Sequence, residues 1–193
     1  EAAEAKKKLI LDSLQFNVDN NVQVFEITIR LLAALITAYE IDGDKKFLSM
    51  AQDLGNRLMP AFRSKTGMPY RYVHLQTGAI SDSINNPAEI GTLMLEFGKL
   101  SKITGDVKYY AAAKRAVMQV FKRRSKLDLV GTQIDVNTGK WTNTDSHISG
   151  MIDSYYEYLY KGWVLFGDKD LKQAFDIHQK AIKKYLISKQ DNG

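Results

Sequence analysis

A two-residue marker that returns at a fixed interval constrains this 193-residue chain more than any other feature. Gly43-Asp44, Gly105-Asp106 and Gly167-Asp168 are spaced 62 residues apart twice, and Thr77-Gly78 and Thr138-Gly139 recur at 61. Two markers with nearly one period define a repeat, and a repeat governs every local pattern inside it. Each glycine-aspartate pair follows an apolar run and precedes a basic amphipathic one. Glycine takes the left-handed conformation that ends a helix. Aspartate then caps the helix that follows. Each unit therefore reads as an inner helix, a tight turn and an outer helix running back. Inner helices are predicted over 24–41, 87–104 and 150–166, apolar nearly all round as a buried layer requires. Outer helices are predicted over 45–59, 107–124 and 169–186, and 2–16 reads as the outer helix of an earlier unit.

The longer connections, 61–86 and 125–149, alternate like strands at 70–75, 133–136 and 140–142. Turn residues at 77–78 and 137–139 give each a small β-hairpin. Such units bury their cores against neighbours. The expected fold is all-α, built of stacked helical hairpins with small β-hairpins at one mouth, and residues 1–193 read as a single segment. Apolar stretches reach only about eight residues, as at 31–38, against the roughly twenty of a membrane span, so no membrane partner is expected. The start carries no secretory signal pattern. Cysteine is absent, which excludes thiol catalysis, thiolate metal sites and disulfides. Net charge is +5, yet Lys122-Arg123-Arg124 and Lys183-Lys184 fall at helix C-termini, where cations complement the dipole. A nucleic-acid partner is therefore not expected.

Acids inside the most apolar helices are the unusual residues. Glu26, Glu89 and Asp153 precede the glycine of their own unit by 17, 16 and 14 residues. The repeat thus delivers one carboxylate per unit to one end of the inner layer, where the long loops also emerge. Arg30 shares a helix face with Glu26, Glu157 with Asp153 and Glu96 with Glu89. A helix N-terminus favours acids in any case, but three in register on apolar helices point to a site. Two compatible chemistries suit them: glycoside cleavage by a carboxylic acid and a carboxylate base, and an oxygen-ligand calcium site.

Several blocks then carry a resemblance. Val24-Phe25-Glu26-Ile27-Thr28-Ile29-Arg30, Arg57-Leu58-Met59-Pro60-Ala61-Phe62 and Thr66-Gly67-Met68-Pro69-Tyr70 are followed by Leu95-Glu96-Phe97 with Leu100-Ser101, and by Asp153-Ser154-Tyr155-Tyr156-Glu157-Tyr158-Leu159. In this order they resemble the class I α-1,2-mannosidases, glycoside hydrolase family 47, above all bacterial members and the endoplasmic-reticulum degradation-enhancing subgroup. The resemblance implies an (αα)7 barrel, of which the three and a half hairpins here would be about half and the chain a fragment, and calcium-dependent, inverting removal of terminal α-1,2-linked mannose from mannosides or N-glycans. It matches Glu26 to the general acid, Asp153 to the second catalytic-site aspartate, and Arg30 and Glu89 to the mannose pocket. Glu96 matches a further acidic position of the substrate site. The family's general base and calcium-binding threonine belong to the second half of its barrel. No metal ligand is therefore assigned in this chain, calcium would be held mainly by the other half, and the 193 residues alone are expected to be inactive. A catalytically incomplete mannose-glycan-binding module, or a half-barrel needing a partner, is the alternative. The compartment would be secreted or periplasmic for a bacterium, and the secretory-pathway lumen for a eukaryote.

The remaining residues are weaker signals. His74, His147 and His178 share no ligand spacing, which argues against zinc. His74, His147, Tyr72 and Trp141 lie in the mouth loops and could touch sugar. Ile152, Tyr156, Leu159, Trp163 and Phe166 are expected on an uncovered flank of the last unit, needing the rest of the barrel or self-association to cover it.

Overall fold

The computed structural model describes residues 2–187. The three repeated glycines end three inner helices. Gly43, Gly105 and Gly167 have φ of 79°, 75° and 69°, and each donates its N–H back to Tyr39, Ser101 or Trp163. A Cβ on any of them would meet nothing within 4 Å, so conformation and not space requires glycine. Asp44 and Asp168 cap their return helices as expected, while in the second unit Val107 takes the cap position and Asp106 stands one residue before it. Asp44 accepts from the Lys46 N–H at 3.0 Å, Asp106 from Lys108 at 3.1 Å and Asp168 from Asp170 at 3.0 Å. The outer helices so begun are Lys45–Leu58, Lys108–Lys122 and Lys169–Tyr185, preceded in the chain by a further helix, Ala2–Ser13.

The inner helices are less regular than expected, always near their starts. The first runs as Val24–Ile27, a π-helical turn Thr28–Leu32 and Ala33–Asp42. The second is Pro87–Gly91 and Met94–Thr104, interrupted at Thr92 and Leu93. The third is Asp153–Phe166, three residues shorter than predicted, because Met151 at φ 75° cannot continue a right-handed helix. Pro87–Gly91 packs on Val24–Ile27 and on the third inner helix, while Ala33–Asp42 packs on Met94–Thr104. Starts thus lie beside starts, so the helices run parallel and the acid-bearing ends stand at one level. A Cβ on Gly91 would come within 2.8 Å of Tyr155, so glycine permits this close approach.

The core lies between the two helical layers. Leu54 and Leu58 of the first outer helix, Phe97 and Leu100 of the second inner helix and Tyr109 of the second outer helix are all fully buried. Phe97 sits edge-on to both Phe62 and Tyr109, with centroids 5.4 Å and 6.3 Å away.

Each predicted hairpin proves to be part of a three-stranded antiparallel sheet. Tyr72–His74 and Ile80–Ser81 gain Asn21–Gln23, with Val22 opposite Val73. Gln133–Asp135 and Trp141–Asn143 gain Ile84–Asn85, with Ile84 opposite Asp135. The added strands lead directly into inner helices, so the sheets sit at the acid-bearing end. The expected uncovered flank is corrected. Ile152, Tyr156 and Leu159 are buried and Trp163 and Phe166 are half-buried, because the third inner helix packs both on the third outer helix and on the two segments of the second inner helix. The exposed stripe is instead Tyr160, Val164 and Leu165. No described helix is long and apolar enough to cross a membrane.

Gly105→Ala should destabilise the chain by about 1–2 kcal/mol, the cost of a left-handed L residue. Urea denaturation measures this, and an unchanged midpoint would reject the role given to the turn.

Candidate active site

Glu26 lies in the first turn of the first inner helix, immediately before the π-helical turn. Arg30 lies inside that turn, and its Nε donates to Glu26 Oε2 at 2.5 Å. Their side chains are 42% and 72% exposed, so Glu26 has a cationic partner and solvent and not an apolar enclosure. Thr28 is fully buried, and its hydroxyl has no partner among the described residues. Irregular turns of this kind recur at functional sites.

Glu89 is positioned by a different device. The Asn86 side chain caps its N–H at 2.9 Å, and Pro87 opens the helix. Glu89 is 8% exposed, and its carboxylate takes two bonds from Arg71, Nε to Oε2 and Nη2 to Oε1, both at 3.0 Å. The Glu89 carboxylate pushes the Arg71 guanidinium above its ordinary range, so Arg71 is a permanent cation. Arg71 carried no sequence signal beyond its place in a strand-like run.

Glu96 lies in the first turn of the second helical segment. Tyr158 Oη donates to its Oε1 at 3.0 Å, while Oε2 is buried without a partner among the described residues. Burial raises the Glu96 carboxyl above its ordinary range, against the opposing pull of its own backbone N–H, the Tyr158 hydroxyl and the Lys161 charge. It lines a cleft of about 270 Å³ with Ile36, Thr37, Leu95, Lys99 and Leu165. Asp153 opens the third inner helix and is exposed, its Oδ1 accepting from the Ser154 N–H at 2.7 Å. Glu157 pairs with Lys161 and not with the Asp153 site.

The second and third helix starts are tied together. Ala88 N–H donates to Met151 O at 2.8 Å, and Thr92 Oγ1 donates to Ser154 Oγ at 2.6 Å. The acids therefore share a level, each with its own partner. Among the described residues, no hydrogen bond or ion pair joins Glu26, Glu89 and Asp153 to one another, and no group of three or more His, Asp or Glu is placed to hold a metal.

The loop residues have structural duties. His74 Nε2 meets Asp19 Oδ1 at 2.8 Å, and its Nδ1 accepts from the Gln76 and Thr77 N–H groups at 3.3 Å, closing the hairpin. Trp141 Nε1 donates to Arg123 O at 2.7 Å, which docks its hairpin on an outer helix. Tyr72 lies in the first sheet under the Arg71 guanidinium, 5.8 Å from its ring centroid. His147 bonds Ser149 Oγ at 3.0 Å in the loop before the third inner helix. His178 is fully buried between Asp128 O and Tyr155 Oη, and burial lowers it to about 4, so it is neutral.

With this geometry in view, the model of glycosyl hydrolase family 47 matches residues 1–193. This chain belongs to that family. Alpha-mannosidase I MNS5 of Arabidopsis thaliana is 38% identical over 188 residues, covering 91% of this chain and 33% of the relative. ER degradation-enhancing alpha-mannosidase-like protein 2 of Homo sapiens is 38% identical over 192 residues, covering 92% and 33%. The solved α-1,2-mannosidase from Trichoderma reesei superposes with a TM-score of 0.85 at 26% identity, over 94% of this chain and 42% of that one. The fold is thus the (αα)7 fold of the family 47 mannosidases, of which this chain covers part. It spans about a third of the length of the curated relatives named here.

Glu96→Gln keeps an acceptor for Tyr158 and removes the buried charge. Glu96 binds its proton more tightly folded than unfolded, so its neutral form favours folding in acid and that contribution is lost as pH rises. The variant should be more stable than wild type at pH 7, with the gain vanishing near pH 4. Denaturation midpoints across that range measure it, and a gain independent of pH would contradict the burial argument.

Proposed function

We propose that this chain is a segment of an inverting α-1,2-mannosidase barrel that releases terminal α-1,2-linked mannose from mannosides or N-glycans. The observation that supports this most is family 47 membership along the whole chain, joined to three acids at one level of the inner layer. Glu26 is the general acid. Arg30 holds its Oε2, so Oε1 delivers the proton to the leaving oxygen, directly or through one water. Asp153, exposed and bonded through Oδ1 alone, orients that water. Arg30, Glu89 and Glu96 bind substrate: the carboxylates accept from sugar hydroxyls, and Arg30 donates to sugar oxygens. Inversion needs a second carboxylate about 6.5–9.5 Å from the acid, with a water between. That base lies outside this chain, and calcium would likewise have to be held elsewhere. Residues 1–193 alone would release no mannose. The compartment would be the secretory-pathway lumen in a eukaryote, as the human relative's name suggests for that protein, or outside the cytoplasm in a bacterium.

Glu26→Gln in the full-length protein carrying this chain should lower kcat by roughly 10²–10⁴-fold and leave substrate binding nearly unchanged. Mannose release from α-1,2-linked mannobiose measures the first effect, and calorimetry the second. Near wild-type turnover by the variant would remove Glu26 from the role. Wild-type binding with no turnover would replace the enzyme reading with a glycan-binding module.

A further inference from the structure

We infer that Arg71 is a positioning residue that locks the Glu89 carboxylate and the start of the Glu26 helix into one unit. The inference rests on the mannosidase reading and assigns a residue that lies outside the family blocks. Its main chain and side chain reach different helices. The Arg71 N–H donates to Asp82 O at 3.1 Å, and its carbonyl accepts from the Val24 N–H at 3.0 Å. Val24 opens the first inner helix, two residues before Glu26. The guanidinium meanwhile grips both oxygens of Glu89 on the second inner helix. Asp82 Oδ2, 3.8 Å from Nη1, steadies the far side of the guanidinium.

A planar fork with two parallel bonds fixes the plane of a carboxylate, which a point-charge lysine cannot do. At 8% exposure, Glu89 without its partner would be an unpaired buried charge. The fork uses one lone pair on each oxygen and leaves a second on each for a sugar hydroxyl. Arg71 therefore acts through Glu89. A change at Arg71 should disturb how substrate is held more than how fast the bond breaks.

The test measures hydrolysis of α-1,2-linked mannobiose by the full-length protein with Arg71→Met, Arg71→Lys, Glu89→Gln and the Arg71→Met/Glu89→Gln pair. Arg71→Met should raise KM at least about tenfold with kcat within about threefold, the size of a misplaced binding group. Arg71→Lys should recover part of that loss. On the Glu89→Gln background, Arg71→Met should add less than about twofold, since coupled residues are not additive. Wild-type KM in Arg71→Met, or losses that multiply in the pair, would overturn the inference, because a purely structural staple lowers stability without moving KM. If Arg71→Met does not fold, the KM of Arg71→Lys decides in the same way. A wild-type protein that neither binds nor cleaves mannobiose would sink the mannosidase reading and this inference together. Wild-type turnover with KM unmoved in the Arg71 variants would sink the inference alone.

Discussion

Helix reversal at Gly43, Gly105 and Gly167 is the constraint on which the remaining structure depends. A left-handed residue costs an L side chain about 1–2 kcal/mol, so glycine settles where each inner helix must stop. The aspartate that follows settles where the outer helix must start, by taking an N–H the helix cannot satisfy itself. With all three reversals at one end, the longer connections have to emerge at the other. The two small sheets and the acid-bearing helix starts occupy the same level for that reason.

The two ends of the inner layer obey opposite rules. At the reversals the helices are regular and close in repeating geometry. At the mouth every inner helix is disturbed: a π-helical turn in the first, an interruption at Thr92 and Leu93 in the second, and left-handed Met151 just before the third. Each disturbance lies within a few residues of an acid. The acids themselves are stabilised in different ways. Glu26 leans on Arg30 in solvent, Glu89 is gripped in a nearly dry setting by Arg71, and Glu96 shares one oxygen with a tyrosine hydroxyl. One repeat has thus placed its carboxylates in unlike surroundings, with unlike freedom to move.

The sequence made the repeat, the helix pairs and the level of the acids legible, because each has a local signal: a glycine, a cap or an acid among apolar neighbours. The features that escaped it have none. Asn21–Gln23 and Ile84–Asn85 are too short to alternate, and their pairing is decided by distant strands. Arg71 meets Glu89 only after a sheet and a helix have been placed, so nothing near either residue announces the pair. The uncovered side of the third inner helix was misread because its sequence is apolar on more than one face. Packing against both neighbouring helices, and not composition, leaves Tyr160, Val164 and Leu165 as the exposed stripe.

The π-helical turn Thr28–Leu32 splits the first inner helix into halves that are out of phase. One added residue advances a helix by about 100° around its axis. Below the turn, Leu35 and Ile36 keep to the seam against the neighbouring helices and are almost wholly buried. Above it, Glu26 stands on the open side within reach of Arg30. The same helix therefore carries a hydrophobic seam and a chemical face without either dictating the azimuth of the other. Removing a single residue from the turn would leave the seam intact and rotate Glu26 about 100° around the helix axis relative to it.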